Sequence, residues 1–582
     1  MRIRTRAALR RWVPGIALLR AHDRDRLRRD VPAGTVLAAL LVPQGMAYAE
    51  LAGLPPVTGL YATLVPLIVY FLLGPSRILV LGPDSAVSPL VAAAIIPLAA
   101  ADAAHRVALA GALSLMVGAL MFTGGVARFG FVTELLSLPV RLGYLMGIAV
   151  TVIVLQLPKL FGFSVHAETV LPALRDFIAG LDRTNTTALV LGAGSLALII
   201  VLRRAAPRVP GVFLAVVGAT ALVSILGLAD QVPVVGTVPS GLPRLGTPGV
   251  SLGDLERLIP AAVGIAFVAF ADTSALSRSY ADRLGQEVDQ NRELAVLGIA
   301  NAAAGLFQGF PISTSGSRTA VAENVGARSQ LAGLIGAVLL AVVLVFGTAL
   351  VQNLPIATLA AIVIFAVLGL IDVRAALRLW RWRPSEFSLA MVTFASVALF
   401  GVLWGVGIAI TLSLLDFIRH AWRPHDAVLG RVDGMKGYHD TERHPEARRI
   451  PGLTLFRFDA PLFFANADAF HERVRELAGE PGVAWIVVAA EPITDVDTTA
   501  AEMLRGLNAE LDDAGIEFAF TELKGPVRDR LIRYGIHDEI GRHRFWPTVG
   551  AAVSAYVEET GVEWVDWDER QDEPDGAAPA SS

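Results

Sequence analysis

Two runs rich in small hydroxyl residues open apolar stretches of the chain, GPDSAV at 82–87 and STSGSRTA at 313–320. Their chemistry would be anion binding. A helix N-terminus presents unpaired N–H groups and about half a positive charge, so two such ends meeting inside a membrane would form an anion cradle without any basic side chain. Ser85, Ala86 and Val87 would begin one half-helix, and Ser315, Gly316 and Ser317 the other. Small side chains admit a ligand to the backbone, and the serine hydroxyls are further donors. Arg318 adds a full positive charge; an intramembrane arginine marks a pathway unless it snorkels to an interface or pairs structurally. Asp84 would repel an anion, yet a helix N-terminus accepts an acid as its first-turn cap. A third reading has Asp84 carrying a proton in with the anion. Asp272, in AFVAFADTSALS, lies within an apolar run where an unpaired charge is expensive. It is therefore protonated, cation-bound or ion-paired, with Arg318 a reasonable partner.

The elements that must position these residues are membrane spans. Of the 582 residues 54% are hydrophobic and 18% charged, with a mean hydropathy of +0.57. Apolar blocks such as 107–125 and 331–351 have the length that a bilayer demands. Arginines crowd the first thirty residues, then recur on alternate loops: Arg77, Arg128 with Arg141, Arg203 with Arg204 and Arg208, Arg278 through Arg292, and Arg374 through Arg383. Short loops rich in Arg and Lys stay inside, so the alternation predicts about fourteen spans with both chain ends cytoplasmic. The apolar piece VPGIALL is too short for a secretory signal. With no Cys there are no disulfides, thiolate metal sites or cysteine nucleophiles.

Two spans, 78–97 and 309–324, are too short and polar to cross alone, and interrupted segments also precede them at 41–56 (LVPQGMAYAELAGLPP) and 265–285. Paired interruptions in corresponding halves point to an inverted-repeat transporter with its site between half-helix ends. Apolar periodicity stops near Arg419. The organisation expected is a basic cytoplasmic N-terminus (1–30), a transmembrane domain (31–420), an irregular linker (421–450), an α/β domain (451–558) of alternating strands and helices, and a disordered acidic tail (559–582). His425, His439 and His444 in the linker fit no metal-ligand spacing. No Ser-His-Asp order, phosphate loop or nucleic-acid patch stands out, so neither an enzyme nor a cofactor is expected.

PQGMAYAELAGLPP followed by TGLY, together with GPDSAV, STSGSRTA and the α/β tail, resembles the sulfate permease (SulP) family, relatives of solute carrier family 26. The resemblance spans roughly residues 30 to 555. It implies fourteen spans as two inverted repeats of seven, a core and a gate domain, a cytoplasmic STAS domain, anionic substrates and a homodimer. It also places Gln44 and Tyr48 on the cavity, where the amide and phenol could donate; the alternative is hydrogen bonding between helices. Pro43 and Gly45 would bend the first span, and Glu50 would cap its membrane end. The family has an acid on the eighth span, which makes Asp272 the coupling site. Its sodium-coupled bicarbonate members place a hydroxyl one turn later, where this chain has Leu276; a proton is favoured over sodium. Thr498, in EPITDVDTTAAEML, takes the position of a phosphorylatable hydroxyl in bacterial anti-sigma antagonists, or it is simply part of a helix cap supplied by Asp497 or Thr498.

Importing a divalent anion against 100 mV costs about 4.6 kcal/mol, more than a thousandfold in concentration ratio. Uncoupled sulfate uptake would run backwards. The reading is therefore proton-coupled uptake of sulfate across a bacterial plasma membrane. Alternatives are a bicarbonate importer, a chloride or dicarboxylate exchanger, or a membrane-anchored module whose STAS domain binds a cytoplasmic protein. A nucleobase transporter would share the fold, but Arg318 and the tail domain argue against it.

Overall fold

A computed structural model describes residues 13–20, 24–99, 102–130, 137–165, 169–206, 209–285 and 287–564. The chain divides into two compact units, Met1–Ser413 and Leu414–Ser582. The expected disordered tail lies, from residue 565, outside the described residues, as do residues 1–12 and 21–23 of the basic N-terminus.

The first unit is helical. A short α1 (Pro14–Arg20) precedes α2 (Arg24–Leu51), α3 (Pro56–Leu73), α4 (Ser88–Ala99), α5 (Ala103–Val126) and α6 (Leu138–Leu160). After α7 (Val170–Ala179) come α8 (Thr186–Ala205), α9 (Gly211–Ile225), α10 (Leu252–Leu284), α11 (Gln290–Leu306), α12 (Gly316–Val325), α13 (Leu331–Phe346) and α14 (Ile356–Leu368). Then α15 (Val373–Trp382) leads to α16 (Pro384–Phe400) and α17 (Val402–Trp422), which runs across the unit boundary. With α1, α7 and α15 set aside, fourteen helices among the described residues follow the order expected of spans. Seven stretches are long and apolar enough to cross a membrane, while α4, α9, α13 and α16 are apolar but shorter.

The helices gather into two bundles. In the first, α11 packs on α5 and α3, α13 on α2 and α3, α12 on α2, and α10 on α5. In the second, α6 packs on α14 and α16, and α8 on α14 and α9. Glycine sets the spacing of α2 and α3. A Cβ on Gly59 would overlap the carbonyl oxygen of Gly45, so the two backbones touch where any side chain would part them. Gly45 therefore serves close approach inside an unbroken α2. Gly59→Val should lower the melting temperature in detergent, at a cost of about 1–3 kcal/mol from overpacking. An unchanged melting curve would mean that the contact yields freely.

Two spans are broken as expected. Helix α4 has 12 residues and α12 has 10; at about 1.5 Å per residue neither reaches much beyond half of a 30 Å hydrocarbon core. Each is preceded by extended chain, β1 (Leu81–Gly82) and β2 (Ser313–Thr314), and these pair antiparallel, Leu81 with Thr314 and Gly82 with Ser313. The Ser315 amide extends the pairing to the Val80 carbonyl at 3.0 Å. Extended backbone at membrane depth must find its partners within the protein. Here each broken segment satisfies the other, which brings the starts of α4 and α12 together.

The second unit carries one six-stranded sheet in the order β4-β3-β5-β6-β7-β8. Its strands are β3 (Asp426–Arg431), β4 (Tyr438–Asp440), β5 (Leu453–Phe458), β6 (Trp485–Ala489), β7 (Glu517–Thr521) and β8 (Phe545–Trp546). Strands β5 to β8 are parallel, and β3 runs antiparallel to both neighbours. Helices cover both faces, as parallel strands require. On one, α18 (Ala467–Ala478) and α19 (Thr498–Asp513) bury Phe470 and Leu504 against Phe456, Phe518 and Phe520; on the other, Val553 and Tyr556 of α20 (Val549–Thr560) cover Trp485 and Val487. Residues 421–450, expected as an irregular linker, instead supply β3 and β4. The apolar core of β3 is only AVLG, flanked by charge, so its periodicity is too short to register.

Candidate functional site

The paired strands set the geometry of the two half-helix ends, and the ends are not equivalent. At the first, Asp84 Oδ1 accepts from the amides of Ala86 and Val87 at 2.9 and 2.8 Å, while Oδ2 accepts from the Ser313 hydroxyl in the other half. Regular helix therefore begins at Ser88, not at Ser85 as expected, and Ser85 to Val87 form the turn that Asp84 holds. The capping reading of Asp84 describes this geometry: two amide donors of the first cradle half already have an acceptor.

The second end is the freer donor. Ser315 is the N-cap of α12; its hydroxyl accepts from the Arg318 amide at 3.4 Å and lies 3.2 Å from the Ser317 hydroxyl. Gly316 and Ser317 are the first two helical residues, whose amides lack an intrahelical acceptor. Ser317 is exposed and Gly316 half-buried.

Arg318 is 0% exposed, ruling out the snorkelling reading. One Nη2 hydrogen goes to the Pro83 carbonyl. Its Nε and Nη1, both buried, have no hydrogen-bond partner among the described residues. A buried charge left with open donors is costly, and a bound anion would satisfy them. Room for the guanidinium comes from Gly82: a Cβ there would lie 2.7 Å from Nη1, and its φ of 149° suits glycine.

Helix α2 brings Gln44 and Tyr48 to the same place. Both are buried, at 9% and 4% exposed; among the described residues Gln44 Oε1 has no partner, and Tyr48 lies beside Ser85 within electrostatic reach of Arg318 and Asp84. Eight of the nine residues expected at the anion site, Tyr48, Asp84, Ser85, Ala86, Ser315, Gly316, Ser317 and Arg318, thus lie on or beside the two half-helix starts; Gln44 stands one turn before Tyr48 on α2.

Asp272 has a different partner from the one expected. It is bonded to Arg141 of α6, Nη2 to Oδ1 3.1 Å, and not to Arg318, whose guanidinium turns to the Pro83 carbonyl. Thr273, next to it on α10, receives the Thr314 hydroxyl at 3.2 Å, so this part of α10 touches β2. Leu276 packs near Gly316. Two neighbours went unrecognised in the sequence. Arg141 counted only as a loop charge, and Tyr144 one turn later carries a buried hydroxyl with no partner, within electrostatic reach of Asp84 and Asp272. Their i, i+3 spacing at the start of an apolar run was the signal available. Glu293 of α11, also unrecognised, is fully buried and accepts from Tyr70 at 2.5 Å and Ser76 at 2.8 Å, with no hydrogen bond to Asp272 among the described residues.

Two other expectations fall away from this site. Glu50 pairs with Lys159 at 2.9 Å, beyond any capping role. In the second unit Asp497 caps α19, accepting from the Ala500 amide at 2.8 Å and from the Phe464 amide at 2.9 Å, which leaves Thr498 exposed in the first turn.

Residues 27–393 match the sulfate permease family. The chain belongs to that family. Residues 444–552 match the STAS domain, so the α/β unit is a STAS domain and the helical unit that of a multi-pass membrane protein. A Mycobacterium tuberculosis (strain H37Rv) protein named as a probable sulfate transporter is 44% identical over 94% of this chain and 98% of its own length. Chloroplastic sulfate transporter 4.1 of Arabidopsis thaliana is 32% identical over 93% of this chain and 82% of its own. Among solved structures, murine solute carrier 26 family member A9, an anion transporter in an inward-facing state, superposes with a TM-score of 0.89 at 22% identity, covering 95% of each chain. The transmembrane domain of a cyanobacterial bicarbonate transporter superposes at 0.59 and 22% identity, over 67% of this chain and 97% of that one. These two show the fold of the family shared across low identity.

Proposed function

We propose that the protein is a secondary active transporter that takes up sulfate, or an inorganic anion of its size and charge, together with protons. The observation that carries this reading is Arg318, fully buried between two half-helix starts with two of its nitrogens unpartnered. The anion would lie against the Gly316 and Ser317 amides, the Ser315 and Ser317 hydroxyls and this guanidinium, with Gln44 and Tyr48 closing the side from α2. Relatives named as sulfate transporters favour sulfate as the substrate. The cost of moving a divalent anion inward, about 4.6 kcal/mol at 100 mV, calls for a coupled cation. Asp272 is the acid assigned to it. Protonation of Asp272 would dissolve its ion pair with Arg141, linking proton uptake to the contact between α10 and α6.

Proteoliposomes containing the full chain test this directly. Labelled sulfate should accumulate above equilibrium when an inward proton gradient is imposed and should not when the gradient is collapsed. Accumulation that needs sodium instead would overturn the proton assignment. Efficient uptake of bicarbonate or chloride with none of sulfate would overturn the substrate.

A further inference from the structure

Helix α6 carries a cation near each end, and each meets an acid on the other bundle. Arg141, in the first turn, bonds Asp272 of α10 at 3.1 Å. Lys159, in the last turn, bonds the Glu50 carboxylate at the end of α2 at 2.9 Å and lies 3.4 Å from the Glu50 carbonyl. About 27 Å of helix separates the two cations at 1.5 Å per residue. The acids stand on α2 and α10, the first and eighth of the fourteen span helices, which open the two halves of the repeat. Another cation near the tip of α2, Arg106, bonds the Gly53 carbonyl at 3.0 Å but sits on α5, in the same bundle as α2. Among the described residues, Lys159 is thus the cation that reaches the end of α2 from the second bundle.

The Glu50–Lys159 pair is about a quarter exposed on each side, 25% and 24%. As a contribution to folding such a pair is worth little. Its position gives it another role. The anion cradle is built from α2, α4 and α12 of the first bundle, and α6 of the second faces it with Arg141 and Tyr144. A site between two bundles is reached from one membrane face at a time only if the bundles shift, so a bond between them is made in some states and broken in others. We propose that Glu50 and Lys159 form a latch on the face where α2 and α6 end, the outer face in the orientation set by the arginines. The latch holds the cradle closed to that face and breaks each time the cradle opens there. This rests on the transport reading above; Glu50 and Lys159 themselves are positioning residues, away from the anion.

The chain has no Cys of its own, so a Glu50→Cys/Lys159→Cys variant of the full protein carries two thiols only. Bridging them with a short reducible bis-thiosulfonate reagent, checked by intact mass, should cut sulfate uptake by about tenfold or more, with recovery on reduction. Bridged protein that transports at the unbridged rate overturns the latch, and so do thiols that fail to bridge. A second measurement needs no transport: in lipid nanodiscs, Glu50→Gln and Lys159→Gln should each raise amide hydrogen exchange at the ends of α2 and α6 severalfold, and the charge-exchanged Glu50→Lys/Lys159→Glu should reverse the rise. Exchange unchanged in the single variants overturns the proposal. Unbridged protein that moves no sulfate would instead count against the transport reading, with the exchange result still deciding the latch.

Discussion

Arg318→Ala should weaken sulfate binding by about tenfold or more, the worth of a charge-assisted hydrogen bond of roughly 1.5–3 kcal/mol. The size of the effect follows from burial. The guanidinium is wholly out of solvent, and its two unpartnered nitrogens have no competing acceptor among the described residues. Arg318→Lys should fall between, because an ammonium keeps the charge but cannot reproduce the fork of donors that a tetrahedral oxyanion engages. Binding is read by calorimetry on purified protein, with a melting curve for each variant, since Nη2 also ties α12 to the Pro83 carbonyl. Equal sulfate affinity in wild type and Arg318→Lys, with Arg318→Ala folded and also unchanged, would reduce Arg318 to a structural strut.

Asp272→Asn should abolish the response of sulfate uptake to a proton gradient, while binding and sulfate-for-sulfate exchange persist. An amide preserves the shape and can accept from Arg141, but it cannot take up a proton. The loss should be complete with respect to the gradient, because a single site that no longer titrates carries no protons at any pH. The measurement is the ratio of uptake with and without the gradient, expected to fall to about one. Proton-driven accumulation surviving in this variant would remove Asp272 from the coupling role and direct attention to Asp84 or Glu293, two of the buried, hydrogen-bonded acids of the first unit. The same variant isolates Arg141. Once Asp272 is uncharged, the cation at the start of α6 has lost its counter-charge, so Arg141→Gln should be better tolerated in the Asp272→Asn background than alone, the non-additivity expected of a contacting pair.

Much of this architecture was legible in the residues because a bilayer is an unforgiving solvent. Block length, the alternation of arginine-rich loops and the two Gly- and Pro-broken segments each follow from a local rule: apolar length spans lipid, short basic loops stay inside, and irregular backbone survives only within protein. The same locality explains why GPDSAV and STSGSRTA could be assigned as facing half-helix starts, and why β5 to β7 with their helices read as an α/β domain. Strands β3, β4 and β8 escaped, since apolar cores of four residues or fewer have no periodicity to detect.

The partners were another matter. Asp272 and Arg141 are 131 positions apart, Asp84 and Ser313 229 apart, and Glu50 and Lys159 109 apart. Local residue patterns are enough to say which segments stop partway and which residue types stand at those stops. It takes the packed fold to show that Asp84 occupies donors of its own half-helix, that Arg318 keeps two of its nitrogens open among the described residues, and that α6 answers an acid at each end. Turn chemistry and apolar period are properties of neighbouring residues; the pairing of charges depends on which helices pack together, and that is settled by the whole fold at once.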